Sequence, residues 1–220
     1  MKHVLVADLE TGSKEKDAAV FAIAAVLFNI EDPASVERIK QAFAAGESLD
    51  DYLYTKLHVG DQWMDGRRLD DDTQGWWRQD RLRIPREAQK GGVGDFRVAL
   101  KAFVKLVNEL VKRHQEEYGT DSKIVVYFRD RQFDDNILQH AGEMYNVKFP
   151  YQFNQRRDIR TYIDTKLNTT IGYIPDFKPF PDLPRHHAMT DVLHDAASMC
   201  EANRRSLLTT RSALSDDTSP

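Results

Sequence analysis

The chain has 220 residues, 41% hydrophobic and 30% charged, with a net charge of −4 and a single cysteine, Cys200. That is the make-up of one globular domain with a core of its own. It excludes a disulfide framework, a cysteine-built zinc site and the strongly basic surface of a protein that wraps long duplex DNA. No apolar run approaches the ~20 residues needed to span a bilayer, and the first apolar segment contains Asp8 and Glu10, which a signal peptide would not; a cytoplasmic location is expected.

Residues 3–7 are rich in Val and Leu and read as a buried strand running to Asp8 and Glu10, closed by a Thr11-Gly12-Ser13 turn. Residues 18–28 are almost wholly apolar, as in a central strand covered on both faces, with helix as the alternative. Residues 36–44 and 52–57 are weaker strand candidates. Asp70-Asp71-Asp72-Thr73 predicts a helix start, followed by Trp76 and Trp77. Residues 81–94 read as an irregular basic connection with a short helix. Asp95 caps a long amphipathic helix with Phe96, Ala99, Leu100, Phe103, Val107, Leu110 and Val111 on one face. A short strand at 123–128, helices at 133–145 and 159–167, a proline-rich extended stretch at 177–184 and a last long helix at 187–208 complete an α/β pattern. Residues 1–208 are expected to form one domain, and the polar stretch 209–220 a disordered tail.

Three constellations carry chemistry. Asp8-Leu9-Glu10 places two carboxylates on one face of a strand, where they repel unless a cation lies between them; two solvated acids in a turn are the plainer alternative. Phe133-Asp134-Asp135 opens a helix, where an acid also suits the helix dipole. His186-His187-Ala188-Met189-Thr190-Asp191 places a histidine just before a helix and an acid one turn inside it, with Asp195 on the same face as Asp191. With cysteine excluded, any metal site here is made of carboxylates and histidine, which suits Mg²⁺ or Mn²⁺.

In this order the three resemble the DEDDh exonuclease family, over roughly positions 3 to 205. Gly75-Trp76-Trp77 and Asn154-Gln155-Arg156-Arg157-Asp158-Ile159-Arg160-Thr161, which has one extra Arg, are similar to the DexA-type exonucleases of T-even-like phages. The resemblance implies a ribonuclease H-like fold with a mixed central sheet flanked by helices. It also implies two divalent cations, Mg²⁺ or Mn²⁺, held by Asp8, Glu10, Asp134 and Asp191, and a general base at His186. Phosphodiester hydrolysis at nucleic-acid 3′ ends follows. Single-stranded DNA is the favoured substrate and RNA the alternative, with a non-catalytic nucleic-acid-binding module as a third reading. A phage origin would put the protein in the host bacterial cytoplasm.

Thr11, Gly12, Trp76, Trp77, Arg131 and Phe133 are the implied substrate contacts, with one tryptophan packed inside and the other lining the site. Arg129, Arg131, Arg156, Arg157 and Arg160 are read either as phosphate contacts or as salt-bridging surface residues. Arg78, Arg81, Arg83 and Arg86 form another candidate rim. One departure stands before the F-D pair: Asp130-Arg131-Gln132 replaces the glycine frequent in relatives, which bears on the local turn and so on Asp134.

Overall fold

The computed structural model describes residues 2–120 and 123–216. Strand β1 (His3–Thr11) pairs antiparallel with β2 (Val20–Asn29), which pairs antiparallel with β3 (Tyr52–Lys56). On its other side β1 pairs parallel with β4 (Val126–Phe128), and β4 with β5 (Arg156–Asp158). The sheet order is therefore β3-β2-β1-β4-β5, with β2 alone running against the rest. This is a mixed sheet flanked by helices, and β1 lies at its centre.

Alternation along β1 divides the core. Leu5, Ala7 and Leu9 face a cluster built with α5 (Phe96–Tyr118) and α6 (Asn136–Tyr145). Val4 and Val6 face the opposite cluster, with α1 (Pro33–Ala45), α7 (Ile159–Leu167) and α8 (Ala188–Asp216). Val4, Leu5 and Val6 are fully buried, each stabilising the fold by roughly 1.5–3 kcal/mol relative to exposure. Aspartates start the helices, at Asp70 and Asp95 as their sequence positions predict and at Asp158 as a further case. Asp70 accepts from Thr73 N at 2.6 Å at the head of α3 (Asp71–Trp77), Asp95 from Val98 N at 2.8 Å and Asp158 from Thr161 N at 3.0 Å. Each such cap is worth about 1 kcal/mol.

Several segments differ from expectation. Residues 36–44, read as a weak strand, lie within α1; Asp32 caps it through Ala34 N, Pro33 opens it and Gly46 at φ 70° ends it. A short helix α2 (Val59–Met64), not expected, follows β3, whereas the basic connection contains the expected short helix, α4 (Arg83–Gln89). The residues before α6 form a turn of π-helix, Arg131–Asp135. Residues 209–216, expected as disordered tail, continue α8; residues 217–220 lie outside the described residues. No helix among the described residues is long and apolar enough to cross a membrane.

Candidate active site

β1 carries Asp8 and Glu10 on the face that α8 covers. They are not two solvated acids in a turn: Glu10 is buried and Asp8 half-buried. The register shifts between Glu10 and Thr11, a bulge that ends regular pairing where the cleft begins. The first turn of α8 brings in Asp191, and one carboxylate oxygen from each of Asp8, Glu10 and Asp191 lies within 4.8 Å of the others. Asp134, buried in the π-turn, joins them in a cleft of ≈ 350 Å³ that Arg185 and His186 also line.

Four acids in so dry a place oppose one another's ionisation. Burial raises the pKa of Asp8 well above the usual carboxylate range, and the charges of Asp134, Glu10 and Asp191 add to it. Burial likewise raises Glu10, with Asp191 and Asp134 adding. It raises Asp134 too, against backbone hydrogen bonds from Asp130 and Leu9. Asp191 is pushed up to about 6 by burial, with Arg185 opposing and Asp195 adding. The Asp191 Oδ1 atom is buried without a hydrogen bond, its contact being the Arg185 Nε at 3.1 Å. An all-oxygen donor set with a spare buried lone pair fits a hard divalent cation.

Neighbouring acids are committed elsewhere. Asp195 is gripped by Arg129, with Nε–Oδ1 at 2.9 Å and Nη2–Oδ1 at 2.7 Å. Asp135 turns away from the cleft to Arg156 Nη1 at 2.6 Å and the Tyr151 hydroxyl at 3.1 Å. The π-turn made by Asp130-Arg131-Gln132 thus leaves Asp134, not Asp135, at the cleft.

The two adjacent histidines divide in the same way. His187 caps α8, its Nδ1 accepting from Thr190 N at 3.4 Å, while its Nε2 meets the Tyr54 hydroxyl at 3.1 Å and its ring stacks on Tyr54. His186 lines the cleft instead. Its φ of 61° is left-handed, a conformation costing roughly 1–2 kcal/mol for a residue with a Cβ. Asp191 Oδ2 holds it by accepting from His186 N at 2.9 Å, and Gln89 Nε2 reaches its carbonyl at 3.5 Å. Burial lowers the His186 pKa, with Arg185 and Arg81 adding, which favours the neutral imidazole.

Trp77 is 4% exposed, and its Nε1 donates to the Thr11 carbonyl at 2.9 Å. Trp76 is half-buried, lies edge-on to the His186 ring at 5.0 Å and carries the Arg81 guanidinium over its face at 5.7 Å. Thr11, Phe133 and both tryptophans line the cleft. Gly12 and Arg131, expected beside them, do not. At Gly12 a Cβ would overlap Leu69 Cδ2 and press on Phe21, and its main chain pairs with Ala19 and Asp70, so close packing accounts for it. Arg131 lines a neighbouring groove. Lys14, Thr73 and Arg185 line the cleft without having been expected as substrate contacts, and Arg129, read either as a phosphate contact or as a salt-bridging residue, lines it while pairing with Asp195; for Arg185 the available signal was its place directly before His186.

The family model of the 3′-5′ exoribonuclease Rv2179c-like domain matches residues 3–202. No curated protein matches the chain. Among solved structures, the nuclease domain of 3'hExo, a DEDDh family member bound to rAMP, is similar over 96% of this chain and 92% of that one, with 13% identity and a TM-score of 0.46. The cleft lies inside the matched span, and the chain belongs to the 3′-5′ exoribonuclease Rv2179c-like domain family.

Proposed function

We propose that this 3′-5′ exonuclease removes mononucleotides from the 3′ end of single-stranded RNA, using divalent cations held by Asp8, Glu10, Asp134 and Asp191. The observation that carries the proposal is the meeting of these four acids with His186 around one cleft. Bound there, divalent cations would relieve the repulsion among the acids, lower the pKa of a water and offset charge on the phosphoryl and leaving oxygens.

The remaining steps belong to the chain's own residues. Water oxygen bonds to phosphorus, the P–O3′ bond breaks, the leaving O3′ takes a proton from solvent to become the upstream strand's new 3′-hydroxyl, and a 5′-mononucleotide is released. His186, whose neutral form burial favours, accepts the proton that the water loses. The hydrogen bond from its main chain to Asp191 fixes it beside the acids. Trp76, edge-on to His186, offers a face to the terminal base, while Arg185 places a cation beside Asp191.

The choice of RNA rests on the family's description. Residues 154–161, which favoured DNA through their DexA-type likeness, support no sugar preference. Gln155 bonds the Ile124 carbonyl and Gln152 N, Arg156 pairs with Asp135, and Asp158 caps α7; their work is scaffolding. Single-stranded DNA stays the second reading, carried by the Gly75-Trp76-Trp77 likeness. Matched RNA and DNA oligonucleotides of one sequence test the choice. Faster loss of 3′ nucleotides from RNA is expected, and faster loss from DNA overturns it.

A further inference from the structure

A groove larger than the acidic cleft lies beside it. It encloses ≈ 840 Å³ at the carboxyl ends of β4 and β5, against the first turn of α7, and shares Asp130 with the cleft. Open α/β sheets bind ligands along this edge. Phe128 pairs with both Ala7 and Asp158, so the groove lies two strand spacings, roughly 10 Å, across the sheet from the β1 acids.

Arg131, Arg156, Arg157 and Arg160 line it. Two are neutralised: Arg156 by Asp135, and Arg160 by Asp158 at 3.1 Å and Asp130 at 3.5 Å. The acids of the groove are likewise occupied, Asp158 as helix cap and Asp164 by Thr169 Oγ1 and Gly172 N. The other two arginines keep their charge. Arg131 is exposed and makes no ion pair among the described residues. Arg157 is exposed and bonds only main-chain carbonyls, Asn154 O at 2.7 Å and Arg156 O at 2.9 Å, which hold the guanidinium in place without cancelling it. Two uncancelled guanidinium groups, that of Arg157 held by main-chain carbonyls, on a groove that shares Asp130 with the acidic cleft match the phosphates of a single strand.

Resting on the exonuclease reading above, we propose that this groove carries the strand 5′ of the scissile bond, with Arg131 and Arg157 binding its upstream phosphates. A dinucleotide then fills the cleft alone, and longer strands gain affinity from the groove. No base edge is read there, so the gain is independent of sequence.

The test is kcat/KM in Mn²⁺ for uridine di-, tri-, penta- and heptanucleotides, measured for the wild type, the Arg131→Glu/Arg157→Glu variant and the Arg131→Lys/Arg157→Lys variant. Neither arginine holds a buried partner, so the fold should survive; thermal melting checks this. The wild type should gain about tenfold with length, through KM, and that gain should fade with salt. The glutamate variant should match it on the dinucleotide and lose the gain, and lysine should restore most of it. With two phosphates no longer neutralised, the slope of log K against log salt should flatten by about 1.4. If wild type and glutamate variant gain equally with length, the groove assignment is overturned and the exonuclease reading stands. If the wild type degrades no substrate of any length, the exonuclease reading fails and takes the groove with it.

Discussion

The main-chain N–H of His186 donates to the Asp191 carboxylate at 2.9 Å, so the proposed base and a proposed metal ligand are one mechanical unit at the head of α8. Replacing the imidazole alone should separate their roles. His186→Ala is expected to lower kcat by about 10²–10⁴-fold, the usual contribution of a positioned proton acceptor, while metal binding persists. Asp191→Ala should remove both. Single-turnover kinetics beside a Mn²⁺ melting titration distinguishes the two; unchanged kcat in His186→Ala would assign the base elsewhere.

Metal should act on stability as well as rate. With Mn²⁺ at 100 times its dissociation constant, a site present only in the folded chain stabilises it by about 2.7 kcal/mol. The gain should appear as a higher melting temperature, reversible by chelator, and vanish in Asp8→Asn. A variant that keeps the full shift would remove Asp8 from the ligand set.

The raised carboxylates set a pH dependence with a definite sign. Asp191 sits at about 6 in the folded chain against 3.8 ordinarily. Between those values the folded chain holds a proton that the unfolded chain has released, so this group's share of stability falls as pH rises through the window and stays lost above it. Asp8, Glu10 and Asp134 are raised too and act in the same direction. In the metal-free protein, Asp191→Asn should therefore melt higher than wild type near neutral pH, with the difference shrinking toward about pH 4. A difference that widens on acidification contradicts the repulsion.

Trp76 and Trp77 should separate binding from folding. Trp77 is buried, so Trp77→Ala should cost about 3–5 kcal/mol of stability. Trp76→Ala should leave melting nearly unchanged and weaken oligonucleotide binding by about 1–3 kcal/mol, the worth of one stacked base. Anisotropy titrations and denaturant melts of the two variants give both numbers; equal loss of stability in both would deny Trp76 its place at the cleft.

What the sequence made legible follows from how directly physics writes each element into it. β1 and β2 are apolar because both faces of the sheet are covered, and Asp70 and Asp95 mark helix starts because free N–H groups need acceptors. α1 was obscured by Val36 and Ile39 although Asp32-Pro33 carries a helix-start signal. β5 is Arg-Arg-Asp, an edge strand without apolar alternation, so periodicity cannot find it. Of the site, the order of the acids and His186 was readable because motif spacing survives in a linear string. Asp134 was set apart from Asp135 only through the likeness of the F-D pair; that Asp135 turns away to Arg156 depends on a π-turn and on a partner across the sheet, which the string does not show. The Arg185 contact with Asp191 was hidden likewise, being a matter of side-chain direction.

The most direct measurement is a time course on a 5′-labelled single-stranded RNA in Mn²⁺, with wild type and Asp8→Asn side by side. A ladder of labelled strands shortening stepwise from the 3′ end is expected with wild type, falling by about 10³-fold or more in the variant, as several kcal/mol of metal-borne charge stabilisation is lost. Equal activity in both, or release of the labelled 5′ nucleotide first, would contradict a 3′-5′ exonuclease centred on these acids.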